Sequence, residues 1–98
     1  MNIITVIIWN EANIAHIAKH NVTKEEVEEV IYSANYAVRE TYLSRLALIG
    51  PTGKGRMLHI VVFPQTPETY YVVTARDADR QEQTIYQQDI EKGGEKAA

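Results

Sequence analysis

Leu43-Ser-Arg-Leu-Ala-Leu-Ile49, Gly50-Pro-Thr-Gly-Lys-Gly55 and Arg56-Met-Leu-His-Ile-Val-Val-Phe63 read as strand, turn and strand. Leu46 and Leu48 alternate against Arg45 and Ala47, and Leu58, Ile60 and Val62 alternate against Met57, His59 and Val61. A period of two places each set on one face of a sheet. The glycine–proline stretch between them is a turn by composition. It contains Gly53-Lys54 but lacks the leading glycine and trailing Ser/Thr of a phosphate-binding P-loop.

Working outward, Tyr36–Thr41 lies close enough to pair with Leu43–Ile49. Pro64–Glu68 is a second turn, and Thr69–Ala75 is a further strand ending at Arg76. Asp79 and Glu82 have the N-cap and N3 spacing of a capping box, so a last helix starts there, with Ile85, Tyr86 and Ile90 as its apolar positions. From Glu91 onward the composition predicts a flexible tail over 91–98. Upstream, six of the first nine residues are β-branched, which predicts a strand over that stretch.

Between these parts, Trp9–His20 reads as a helix with Asn13, His16 and His20 on one polar stripe. Ile14, Ile17 and Ala18 form the adjoining core-facing side. Thr23 and Glu26 form another capping box, flanked by a Val22–Val27 hydrophobic staple. Val27, Val30 and Ile31 repeat at helical spacing, so a second helix runs to about Ser33 with its glutamates facing water. The order β-α-α-β-β-β-β-α lacks the strand–helix alternation of a parallel sheet. It predicts an α+β domain over residues 1–90: two helices and a C-terminal helix on a mainly antiparallel, four- to five-stranded sheet. There are no internal repeats and no linker.

Ninety-eight residues suffice for one core, and the apolar (45%) and charged (23%) shares are those of a globular protein. Without cysteine there is no disulfide, thiolate metal site or cysteine nucleophile. The apolar start is too short to span a bilayer and lacks signal-peptide features. The expectation is a cytoplasmic protein without membrane contact. A net charge of −3 argues against a dedicated nucleic-acid binder, but the charge is uneven. Glu25, Glu26, Glu28 and Glu29 concentrate the acid. Residues 39–80 carry Arg39, Arg45, Lys54, Arg56, Arg76 and Arg80 against four acids.

His16 and His20 have the i, i+4 spacing of two metal ligands on one helix, but no third ligand is evident unless the fold brings in His59 or a glutamate. Structural histidines at the rim of the core are the ordinary alternative. A third reading is metal-free RNA cleavage. There the 2′-OH attacks the adjacent phosphorus, which requires proton-transfer groups and cations around the phosphate. Arginine suits the cationic task because its fork matches two phosphate oxygens. If Arg56 and Arg76 fall on neighbouring strands, they can converge on one phosphate.

Three segments together resemble the BrnT family of bacterial toxins. They are Trp9-Asn-Glu…His16…Lys19-His20-Asn-Val22-Thr-Lys-Glu-Glu26, then Gly53-Lys-Gly-Arg56-Met-Leu, then Thr74-Ala-Arg76-Asp-Ala…Glu82…Tyr86. The resemblance implies a RelE-like fold and a metal-independent endoribonuclease, without cofactor, that inhibits translation. It also implies an antitoxin partner, often of the ribbon-helix-helix type; the expected assembly is a homodimer or a toxin–antitoxin heterotetramer. By position it brings over Lys19, His20, Arg56, Arg76, Glu82 and Tyr86. The expected roles are phosphate clamps for Arg56 and Arg76 and proton transfer for His20 or Tyr86. Lys19, Lys54, Arg80 and His16 are expected to bind RNA. Asn13 stands where many members have lysine, and Asn21 stands where glycine is usual. Two rivals stay open: a non-catalytic, toxin-like partner-binding or repressor subunit, and a metal protein using His16 and His20.

Overall fold

The structure, a computed structural model, describes the backbone of residues 6–97 and the side chains through Glu91. Eight elements follow in the expected order: β1 (Val6–Ile8), α1 (Glu11–Ala18), α2 (Lys24–Ser33), β2 (Ala37–Thr41), β3 (Arg45–Pro51), β4 (Met57–Pro64), β5 (Thr69–Asp77) and α3 (Arg80–Ala97). The beginning of the first expected strand, residues 1–5, lies outside the described residues. The five strands form one sheet in the order β1-β5-β4-β3-β2. All neighbours are antiparallel except β1 and β5, which run parallel. The helical backbone of α3 continues through Glu91 to Ala97, the segment expected as a tail. Among the described residues no helix is long and apolar enough to cross a membrane.

Strand parity divides the side chains between two layers. Leu48, Leu58, Ile60, Val62, Tyr70, Val72 and Ala75 point to the first face, where Ile17, Val22, Val27, Val30 and Ile31 of the α1–α2 segment close a buried core. Ala37, Ile49 and Met57 point to the second face and meet Tyr86 and Ile85 of α3. A β-bulge between β4 and β5, at Val61/Val62, leaves Val73 as the extra residue of β5.

The α2 and α3 starts are built as expected. Thr23 and Glu26 cap α2 reciprocally, and Val22 and Val27 are both buried. Asp79 and Glu82 exchange the same pair of bonds at the start of α3. The α1 start was not foreseen: Asn10 and Asn13 form a capping box of their own there.

Three readings of α1 and α2 are corrected. Asn13 does not share an exposed stripe with the histidines: it is 2% exposed, and its amide donates to the carbonyls of Ile8 and Val72 at 2.9 and 3.1 Å. Buried main-chain acceptors at the β1–β5 junction demand a donor, and Asn13 supplies two. Ile14 and Ala18 are exposed rather than core-facing; of the three, only Ile17 is buried. The α2 glutamates do not all face water. Glu28 accepts from Trp9 Nε1 at 3.1 Å, Glu29 from the Gly53 amide at 2.9 Å, and Glu26 from Arg56.

Candidate active site

Register and helix capping assemble one cluster on the second face of the sheet. His59 of β4 lies directly opposite Arg76 of β5. The chain leaves β5, turns at Ala78-Asp79 and enters α3, so that Glu82, one turn into the helix, reaches back over the strand ends. Its carboxylate receives Arg76 Nη1 at 2.9 Å and Nη2 at 2.8 Å, an end-on, two-bond fork. His59 Nε2 lies 3.4 Å from the same carboxylate. Burial by itself pushes Glu82 upward. The Arg76 fork, the Asp79 amide and His59 outweigh it and hold the carboxyl below its ordinary range. Burial pushes His59 down, against the pull of Glu82, so the ring is neutral at pH 7. His59 Nδ1 is buried without a partner, leaving Nε2 as the nitrogen that meets the cluster.

Arg76 retains open donors. Its Nη1 also bonds the Asp77 carbonyl at 2.9 Å, but among the described residues Nε and the second Nη2 hydrogen have no partner. Those two donors form the side edge of the guanidinium, a second fork that fits two oxygens of one anion. The side chain is 40% exposed, so that edge is reachable.

Arg56 is placed differently. It shares the parity of Leu58 and Ile60, so it lies on the first face, whereas Arg76 lies on the second. Arg56 immediately precedes β4 and Arg76 stands on the neighbouring β5, but the two do not converge. The donors of Arg56 are engaged by acids and carbonyls: Nε by Asp77 at 2.7 Å, Nη1 by Glu26 at 3.0 Å and the Asn21 carbonyl at 2.7 Å, and Nη2 by the His20 carbonyl at 3.4 Å. The Arg56 fork lowers Asp77, and together with the Thr23 amide it lowers Glu26 against the upward push of burial.

The other expected site residues divide between these places. His20 follows the end of α1 beside Lys19, and its ring stands edge-on to that of His16 at 6.0 Å between centroids. All three side chains are exposed on the first-face side, with Arg56 and away from the Arg76 cluster. Among the described residues no group of three or more histidines or acids could hold a metal ion, so the histidine pair finds no third ligand there. Lys54 is exposed in the turn before β4. Arg80 is exposed in the first turn of α3, in a groove of about 380 Å³ with Met57, Gln83, Gln87 and Glu91. Tyr86 is buried in the second-face core, and its hydroxyl donates to Asn35 Oδ1 at 3.2 Å.

Sequence reasoning kept His59 only as a spare metal ligand. Its alternation with Leu58 and Ile60 fixed its face relative to them, but its pairing with Arg76 needed the β4–β5 register. Glu82 was legible as a cap, while its hold on Arg76 was not.

No protein-family model matches the chain, and no curated protein matches its sequence. Among solved structures, the chain is similar to the crystal structure of the Brucella abortus ribonuclease toxin BrnT, with 25% identity and a TM-score of 0.63, covering 78% of this chain and 99% of that one. The α+β fold of three helices on a five-stranded, mostly antiparallel sheet is thus that of a BrnT toxin.

Proposed function

We propose that this BrnT-like chain is the toxin of a type II toxin–antitoxin pair, an endoribonuclease that needs no metal ion and arrests translation. The observation that carries the reading is Arg76: Glu82 fixes its end-on edge, and its side edge stays open beside a neutral histidine. Similarity to a ribonuclease toxin supports the same reading. In the reaction the RNA 2′-OH gives its proton to His59 and attacks the adjacent phosphorus; the bond to the 5′-oxygen breaks and that oxygen takes a proton from water, leaving a 2′,3′-cyclic phosphate and a 5′-hydroxyl end. Arg76 binds two phosphate oxygens and stabilises the charge that builds on them. His59 takes the proton-transfer role that the sequence expectation gave to His20 or Tyr86. Glu82 is a positioning residue for both. Arg56 becomes a structural tie, and Lys54 and Arg80 hold flanking RNA backbone. An antitoxin of the ribbon-helix-helix kind is the natural partner, in a heterotetramer or beside a toxin homodimer.

Induced expression without the partner, together with purified protein and RNA in EDTA, tests the proposal. Growth arrest and cleavage to cyclic-phosphate ends are expected, with Arg76→Ala slowing cleavage at least about 100-fold, the usual cost of removing one charge-stabilising donor. Normal growth and intact RNA would instead favour a non-catalytic partner-binding subunit. That second reading draws on Glu82 already occupying one edge of Arg76 and on Tyr86 being tied to Asn35.

A further inference from the structure

The second face of the sheet is covered over only part of its width. α3 crosses from Glu82, beside Arg76, to Asp89, which pairs with Arg39 of β2 at 2.8 Å, and it packs mainly on β2 and β3. Among the described residues the far half of β4 and the near half of β5 carry no helix on that side. Register sets the open strip in transverse pairs: His59 opposite Arg76, Val61 opposite Thr74, and Phe63 opposite Tyr71. The bulge residue belongs to β5, so the alternation of β4 is unbroken and His59, Val61 and Phe63 share the face. Phe63 is 38% exposed and Tyr71 is half-buried. Leu46 of β3 pairs with Val62, which places the preceding residue, Arg45, beside Phe63 in the same row. Four residue steps along β4 separate this row from His59, about 13 Å at the rise of a β-strand.

We propose that Phe63 and Tyr71 form a base-stacking platform for the single-stranded RNA whose scissile phosphate Arg76 holds, with Arg45 on the backbone at its far end. The proposal rests on the nuclease reading and extends it to how substrate is held. Aromatic rings on adjacent strands of an open sheet offer a surface on which any base can stack. The charge distribution favours nucleic acid over a protein partner here. Three cations of the locally basic middle, Arg39, Arg56 and Arg76, are paired with acids. Arg45, Lys54 and Arg80 have no acid partner among the described residues. Arg45 flanks the strip at its far end, while Lys54 and Arg80 lie toward the Arg76 end. The acidic run of α2 belongs to the opposite face, so RNA seated on the strip is separated from it by the sheet.

Fluorescence anisotropy with a labelled, mixed-sequence, single-stranded oligoribonucleotide carrying 2′-O-methyl sugars tests this without cleavage. Phe63→Leu and Tyr71→Leu keep apolar bulk but remove the ring. Each is expected to weaken binding about 5- to 100-fold, the range for loss of one base–aromatic stack. Phe63→Trp should restore binding and be quenched by the oligonucleotide, with wild-type Trp9 as the control signal. With cleavable RNA the leucine variants should lose more in KM than in kcat. Folded leucine variants that bind like wild type, while wild type cuts RNA, overturn the platform and leave the nuclease standing. Binding that fails in wild type overturns both. Binding without cleavage in wild type, lost in the leucine variants, keeps the platform and removes the nuclease.

Discussion

Two arginines with the same kind of glutamate partner do different work, and the difference is donor arithmetic. Arg56 is held by Glu26 and Arg76 by Glu82, and each glutamate is also the third residue of a capping box. Asp77 and the carbonyls of His20 and Asn21 absorb the other nitrogens of Arg56, so it ties the loop after α1 to the sheet end. Arg76 keeps an open edge. Arg56→Ala should therefore destabilise the fold by about 1–2 kcal/mol, a modest value because the ties lie near solvent. In a domain of this size that lowers Tm by about 4–8 °C per kcal/mol. Below its Tm the variant should cut RNA at close to the wild-type rate. A catalytic loss in folded Arg56→Ala as large as in Arg76→Ala would return Arg56 to the site.

At the scale of elements, local strain and close approach set where strands and helices meet. The β2–β3 hairpin turns through Leu43 and Ser44, both at φ 60°, with the Arg45 amide donating to the Tyr42 carbonyl at 3.4 Å. Positive φ at both central positions is the type I′ turn, which Asn-Gly suits far better than Leu-Ser. Ser44→Gly should raise stability by about 1 kcal/mol, read as a higher denaturant midpoint with unchanged slope. An unchanged or lower midpoint would mean that the turn is not strained at that position. Gly50 serves the opposite need: a Cβ there would stand 2.6 Å from the Asn35 carbonyl oxygen and 2.9 Å from Tyr36 Cβ. That approach sets β3 against the segment whose Asn35 side chain receives the Tyr86 hydroxyl, and so helps seat α3.

For the whole molecule, acid sensitivity follows from the directions of the shifted groups. Glu26, Asp77 and Glu82 ionise at lower pH in the fold than in the unfolded chain, so the unfolded chain takes up protons first as pH falls. Their stabilisation is complete above the ordinary carboxylate range near about 4 and is lost below it. His59 is also lowered, by burial, so its share begins to fall away as pH drops below about 6.5. A Tm-against-pH curve should show a first decline in that upper window, absent in His59→Gln, and a steeper one at carboxylate pH. A wild-type curve flat between pH 7 and 5 would refute the burial assigned to His59. The element order, the α2 and α3 capping boxes and the antiparallel core strands were legible in the sequence, because period, caps and turns are written in neighbouring residues. Asn13, the two arginines and His59 were not. Parity along one strand relates a residue only to its own strand, whereas a shared site needs the register, the bulge and the covering helix. The sequence by itself determined the elements and their amphipathic faces, since those arise from short-range sterics and spacing. Only the tertiary structure decided that Arg56 and Arg76 stand on opposite sides of the sheet, because which face a residue shares with its neighbours is fixed by long-range strand pairing.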